Sequence, residues 1–335
     1  MRKLFALLLI LPVLGAVAYW FAVSTTVERS LAQWFEDQRR AGWVSEFDVI
    51  ESTGFPLTIE TQISGIELAD PTTGVSWFAP NLHLSAPSTS PNQITVTWPS
   101  TQTVSTPIAR YDLSADRFVS DINFLPNSTL ALGSAETQLE NLIVSPVNGD
   151  GVTILQQGNL STVLLDGATN RYDVKFDARQ VTPASDVLGI LDPTGLLPTE
   201  IDGVLLDAQL TFDAPWDRLA IERARPQITR IALSDLRAVW GDVELRAAGE
   251  LDVDELGRSS GQITVKATNW REMVVIAENT GLLPTPFVPT VTRALELLAG
   301  LNGPAETLDA PLSFREGFVS FGPFPIGRAP NFRLR

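Results

Sequence analysis

The chain has 335 residues, carries 24 Lys and Arg against 39 Asp and Glu, and has a formal net charge of −15 at pH 7. So acidic a chain is repelled by phosphate, which argues against general nucleic-acid binding. It contains no cysteine and one histidine, His83, which excludes disulfides, thiol nucleophiles, Cys-ligated zinc, iron–sulfur clusters and a multi-His metal site within one chain.

Leu4 to Val23 is a run of 20 residues without a charge, preceded by Arg2 and Lys3. About 20 helical residues at about 1.5 Å each match a bilayer core of about 30 Å, so residues 1–23 are predicted to be a transmembrane anchor. The two cations hold the N-terminus in the cytoplasm and send the body to the far side. Leu4 and Val23 bound the span, while Tyr19 and Trp20 fall at its outer interface, where amphipathic rings are favoured. A signal peptide is the alternative, with Leu4 to Leu14 as its apolar region and Ala16-Val17-Ala18 as its cleavage site. Both readings export the body. The apolar run continuing through Val23 favours the retained anchor.

Residues 24–42 are predicted to form an amphipathic helix. Ser24 or Thr25 can cap it, Val27, Leu31, Trp34 and Phe35 follow the 3.6 period, and Gly42 can end it. From Gly54 the texture changes to short alternating runs. Leu57, Ile59, Thr61 and Ile63 alternate, and the phase shifts at Ser64-Gly65 into Ile66 and Leu68, as a bulge would produce. Further strands are predicted around Ile94 to Trp98, Leu130 to Leu132, Leu139 to Val144, Val152 to Leu155 and Tyr172 to Phe176, with Asn148 to Gly151 as a hairpin turn. Val204 to Phe212, Val243 to Ala247 and Ile263 to Ala267 continue the pattern. Trp270 to Asn279 and Pro289 to Leu301 read as helices.

Thr194-Gly195-Leu196-Leu197-Pro198-Thr199 recurs as Thr280-Gly281-Leu282-Leu283-Pro284-Thr285. Each copy follows a short helical segment, itself preceded by a strand containing Val-Lys (Val174-Lys175 and Val265-Lys266). Duplication of a strand and helix unit and convergence on one helix-exit device both account for it.

Motifs for chemistry are weak. Gly257-Arg258-Ser259-Ser260-Gly261 fits G-x-S-x-G, but alternating strands lie on both sides where a nucleophile elbow needs a helix after the serine. His83, the one base available to Ser259, lies upstream in Leu82-His83-Leu84, contrary to the chain order of that fold. Asp252, Asp254 and Gly257 resemble the start of a calcium loop, but Leu256 and Ile263 occupy ligand positions. Catalytic, cofactor and metal residues are therefore expected to be absent. Trp77, Trp98, Trp216, Trp240 and Trp270, with Leu295 and Leu298, are candidates to line an apolar groove, against the plainer reading that they are core.

The anchor, Gly54-Phe55-Pro56-Leu57, Trp77 before Ala79-Pro80, Phe212-Asp213-Ala214-Pro215, Trp240-Gly241 and the closing Gly322 to Pro330 together resemble the domain-of-unknown-function 2125 family of Gram-negative bacteria. The anchor and strand-rich body, with Asp309 to Gly317 near the end, are more remotely similar to the AsmA-like envelope proteins. These resemblances imply a single-pass inner-membrane protein with a periplasmic body. The expected fold is mainly β with α (α+β): curved antiparallel sheets packed with a few short helices, preceded by one N-terminal transmembrane helix. The expected divisions are 1–23, 24–42, 43–180 and 181–335, the last two β-rich and continuous. The expected function is non-enzymatic envelope maintenance, with the lipid bilayer as partner and a lipid or other amphiphile in a groove. Docking of an envelope protein partner is the alternative, followed by a serine hydrolase.

Overall fold

The computed structural model describes residues 2–149, 151–218, 220, 225–281, 283, 285–302, 306–321 and 324–334, with the backbone alone at 2–13, 298, 301–302 and 324–326. The chain is mostly β, with antiparallel pairing among the described strands and a long N-terminal helix. It divides into two compact units: residues 1–126 with 142–149, and residues 127–141 with 150–335. The expected division at 180/181 falls inside the second unit.

In the first unit, helix α1 spans Arg2–Arg40 without a break. Ser24 and Thr25 lie inside it, not at a cap, and the Ser24 and Thr26 hydroxyls donate to the Phe21 and Ala22 carbonyls one turn back. The aromatic and β-branched residues from Tyr19 to Val27 are weak helix formers, but no Gly or Pro interrupts them and the helix continues through residue 23. Val17, Trp20, Ser24, Val27, Leu31 and Phe35 recur at three- and four-residue spacing and form the stripe that turns toward the body. Arg39 donates to the Ser45 carbonyl at 2.6 Å, which ties the last turn to the first strand.

That stripe meets a sheet built on two long strands, β3 (Thr58–Asp70) and β4 (Val75–Pro87). Strands β1 (Val44–Glu46) and β2 (Val49–Thr53) pair with successive parts of β3. On the other side β5 (Gln93–Thr97) and β6 (Thr101–Ser105) pair with separate parts of β4. Strands β7 (Arg110–Ser114) and β8 (Arg117–Phe124) continue from β6 and β5. Phe35, Ile63, Ile66 and Ala79 form the buried centre, with Leu31, Trp34, Phe47, Leu82 and Leu84 around them.

The phase change at Ser64-Gly65 is present, but its cause differs from the expected bulge. Ser64 faces Asn81 and Ile66 faces Ala79, so the β3–β4 ladder runs through without a slip. The interruption lies in the neighbour, where Phe47 and Asp48 separate β1 from β2. Gly65 has φ +60°, and a Cβ there would collide with the Asp48 carboxylate. The buried side thus passes from Ile63 to Ile66 and both remain beneath α1.

Strand β9 (Leu132–Pro146) merges the two short runs expected near 130 and 139, and the boundary between the units falls within it after Asn141, at φ 51°. In the second unit β10 (Thr153–Leu164), β11 (Arg171–Thr182), β12 (Ile201–Phe212), β13 (Ile228–Trp240), β14 (Val243–Val253), β15 (Ser259–Thr268), β16 (Thr307–Arg315), β17 (Phe318–Phe321) and β18 (Phe324–Arg328) pair in chain order. Helix α2 (Ser185–Leu191) interrupts β11 and β12. Helices α3 (Trp270–Asn279) and α4 (Val288–Asn302) interrupt β15 and β16. Trp270, Ala267, Ala299, Leu308 and Ala310 form one core cluster, and Ala247, Leu251, Ile263 and Phe314 form another.

The repeated Thr-Gly-Leu-Leu-Pro-Thr belongs to a larger repeated unit. Gly195 and Gly281 both take positive φ, 65° and 75°, just after a helix; Leu282 and Pro284 of the second copy lie outside the described residues. Leu206-Asp207-Ala208-Gln209-Leu210-Thr211-Phe212 of β12 is matched by Leu308-Asp309-Ala310-Pro311-Leu312-Ser313-Phe314 of β16. The register matches too: Lys175 faces Asp207 and Lys266 faces Asp309. Each copy is a Val-Lys strand, a helical excursion and a returning Leu-Asp-Ala strand. The second copy differs by the added helix α4.

Phe35 is 3 % exposed at the centre of the α1 contact, whereas Leu297 on α4 is 69 % exposed. Phe35→Ala is expected to cost about 3–5 kcal/mol and Leu297→Ala less than about 0.5 kcal/mol, read from urea midpoints in mild detergent. Equal effects would show that α1 is not part of the cooperative core.

Candidate functional site

In an antiparallel sheet alternate residues share a face, and directly opposed residues lie on the same side. In the second unit this sorting separates chemistry sharply. Tyr172, Val174, Phe176 and Ala178 on β11 face Leu210, Ala208, Leu206 and Val204 on β12. Leu160 of β10 opposes Phe176, and Leu236 and Ile231 of β13 oppose Leu206 and Leu210. No charged side chain falls on this face along Gly158–Leu164, Tyr172–Ala178 and Val204–Phe212.

The opposite face carries interleaved charge. Lys175 lies 3.5 Å from Asp173 and 3.7 Å from Asp207, Arg179 lies 2.6 Å from Asp177, and Arg237 and Arg246 approach Glu244 at 2.7 and 2.8 Å. The Glu244 carboxyl sits below the usual range, chiefly through its hydrogen bond from Arg246. These exposed pairs favour solubility and register more than stability.

Cover over the apolar face is uneven. Toward β14–β17 it packs against Met273, Val274 and Leu295 of the helices and against Ala329 and Phe332 of the C-terminal segment. Over β10–β12, Val174, Phe176, Val204, Leu206 and Leu210 remain partly exposed and Leu160 is 43 % exposed. Helix α2, in contact with α3, leaves Val187 and Ile190 exposed, and Leu196 beyond it is 82 % exposed.

The tryptophans named from the sequence are divided between the two units. Trp77 and Trp98 belong to the first unit, where their rings lie 5.9 Å apart and their indole N–H groups donate to Gln102 and Ser120. The other three belong to the second unit and have separate surroundings. Trp216 packs edge-on against Phe212, Trp240 donates to the Pro198 carbonyl at 2.6 Å, and Trp270 is buried beneath α4 with the Arg271 guanidinium over its ring. Leu295 borders that cluster, while the Leu298 side chain lies outside the described residues. Trp240 and Trp270 are therefore core and joint residues. The apolar strand residues of β10–β12 are the better candidate surface, and period-two alternation in Val204 to Phe212 was its sequence signal.

At the chain start, Trp20 is 5 % exposed, its Nε1–H donates to the Thr58 carbonyl at 2.7 Å, and Phe55 packs on both Trp20 and Phe21. Tyr19 is exposed and Val23 is partly exposed. The side chain of Leu4 lies outside the described residues. Among the described residues, no helix is long and apolar enough to cross a membrane.

The G-x-S-x-G stretch forms a tight hairpin. Asp254 N–H donates to the Arg258 carbonyl, Gly257 lies at φ 79°, and Ser259 begins β15 opposite Val253. A strand follows the serine where an elbow needs a helix. Ser259 is 1 % exposed, and its hydroxyl has no hydrogen-bond partner among the described residues. His83 belongs to the first unit, on β4, with Nε2 3.9 Å from a Glu60 carboxylate oxygen. In the hairpin the Arg258 backbone N–H, then its guanidinium, hold the Asp254 carboxyl below its usual value. No group of three or more His, Asp or Glu suited to a metal occurs among the described residues.

The fold and site define a β-rich protein with one segregated apolar sheet face and a long N-terminal helix. The chain belongs to the family described as an uncharacterized protein conserved in bacteria (DUF2125), which matches residues 20–330. No curated protein and no solved structure matches the chain.

Ser259→Ala is expected to leave the urea midpoint unchanged or to raise it, within about 1 kcal/mol, because it removes a buried unpaired hydroxyl. A loss well beyond that would mean the hydroxyl has a structural partner. Asp254 contributes stability above its unfolded pKa and loses it as pH falls through the depressed folded value. Asp254→Asn should therefore flatten the decline in urea midpoint between about pH 5 and about pH 3. An equally steep decline in both proteins would contradict the assignment.

Proposed function

We propose that the protein is anchored in the bacterial inner membrane by the N-terminal part of α1, with its body in the periplasm, and that it serves envelope maintenance without catalysis. Its β10–β12 face holds the apolar chain of a lipid or similar amphiphile. The observation that carries this reading is the partly exposed, charge-free face running from Leu160 through Phe176 to Leu206. Sheet faces of soluble proteins are ordinarily either packed or polar, and exposed contiguous apolar surface marks an interaction site.

Three features support the setting. The run Leu4 to Val23 has the length of a membrane span, Arg2 and Lys3 lie on its cytoplasmic side, and α1 passes unbroken through Ala16 to Ala18. The absence of cysteine suits an exported body. An envelope role agrees with what a likeness to AsmA-like proteins implies.

Protein extracted in mild detergent is expected to carry co-purifying lipid by mass spectrometry and to release a bound fluorescent fatty acid on competition. Leu160→Glu, at a partly exposed position that tolerates polarity, should reduce that binding at least tenfold, since a buried unpaired carboxylate costs more than about 1.4 kcal/mol. Finding no lipid and no displacement would refute the proposed occupant. Docking of a protein partner would then be the remaining reading.

A further inference from the structure

The Gly54-Phe55-Pro56-Leu57 element joins β2 to β3 and contributes little to the core of the first unit. Phe55 is 48 % exposed and Leu57 is 79 % exposed, beside Phe21 at 58 %. Phe21 and Phe55 stack with ring centroids 6.3 Å apart, and Trp20 meets Phe55 edge-on at 5.6 Å. Four residues without a charge thus present two large apolar side chains to the outside, next to the helix.

Their level along α1 follows from the helix rise. The apolar run ends at Val23, yet Val17 is already partly buried and Trp20 is buried and bonded to the body. Leu4 to Ala16 alone would span only about 20 Å at about 1.5 Å per residue, short of a hydrocarbon core of about 30 Å. A bilayer spanned by Leu4 to Val23 must therefore extend past Trp20, down to the level of the Phe55–Leu57 loop. At that depth the Trp20 N–H lacks reliable access to water, and the Thr58 carbonyl supplies its acceptor.

We infer that the Phe55–Leu57 loop is a second membrane contact, seated in the outer headgroup region of the bilayer that α1 crosses and fixing the first unit against it. The inference rests on the anchor reading. The partner is the lipid bilayer itself, matched by exposed aromatic and aliphatic side chains without charge and by continuity with the apolar helix.

The chain has no cysteine, so a single introduced thiol labels one place. Full-length Leu57→Cys, Leu14→Cys and Ile108→Cys proteins, each carrying an environment-sensitive fluorophore, are reconstituted in vesicles of phosphatidylethanolamine and phosphatidylglycerol. Leu14 lies in the middle of the apolar run at 59 % exposure, and Ile108 in the β6–β7 turn is 94 % exposed. The expected result at Leu57 is blue-shifted emission and loss of about half its intensity to headgroup-level spin-labelled lipid, at an interfacial depth of about 5–10 Å. Leu14 should be quenched by spin label deep in the acyl region, and Ile108 by neither. Deep quenching at Leu14 with Leu57 behaving like Ile108 would overturn the loop contact and leave the anchor standing. No quenching at Leu14 would overturn the anchor and the loop contact with it.

Discussion

Period-two alternation is the constraint from which the rest follows: a strand sequence of apolar and polar residues produces a sheet with one dry face, and that face needs a cover. Here the strands are long and the helices few. In the first unit α1 covers β3 and β4 through Leu31, Trp34 and Phe35. In the second unit α3, α4 and the C-terminal segment cover the sheet toward β14–β17. Between the buried Tyr172, Ala178 and Ala208, the side chains of Val174, Phe176 and Leu206 remain partly exposed. The charged ladder around Lys175, Glu244 and Arg246 keeps the opposite face soluble.

The same helix that covers the first unit is continuous with the apolar N-terminal run. An unbroken helix fixes the apolar run relative to the first unit, which a flexible linker would not. The Trp20 to Thr58 and Arg39 to Ser45 hydrogen bonds fasten both ends of the contact stripe, and the Glu28 carboxylate accepts from the Ser52 N–H between them. Under the proposed anchoring, position relative to the membrane would follow from secondary structure, with Trp20 packed against Thr58 and Phe55.

Local signals in the sequence were legible where one physical cause dominates. Trp270 to Asn279 is a helix with the expected bounds, and Val204 to Phe212 lies within one strand, because periodicity there has no competitor. The phase change at Gly65 was visible, but its setting is the break between β1 and β2, where the Asp48 carboxylate leaves no room for a Cβ, and a single run of sequence does not name its neighbour. The division of the tryptophans between the two units was hidden for a similar reason. Composition marks large aromatics, while only pairing shows that Trp240 points to Pro198 and that Trp77 belongs to another unit. The Leu-Asp-Ala repeat was present in the letters at Leu206 and Leu308, but the insertion of α4 displaced it. Register, with each lysine opposite its aspartate, restores the correspondence.

Energetics also limit what an uncovered sheet face can do. A lipid chain buries about 0.8 kcal/mol per methylene when surrounded, as in a bilayer, and roughly half that when laid on one flat face. For about 16 carbons the face would supply about 6 kcal/mol where the bilayer supplies about 12, so extraction from the membrane by this face alone is uphill. Favourable transfer therefore requires a second wall over the chain, or delivery by a donor that has already removed it from the bilayer. The exposed Val187 and Ile190 on α2, and Leu196 beyond it, are apolar groups that a covering partner would also bury. A chain held there in the proposed way would therefore need a second apolar wall to be retained through purification, because contact on one side recovers only half the burial energy.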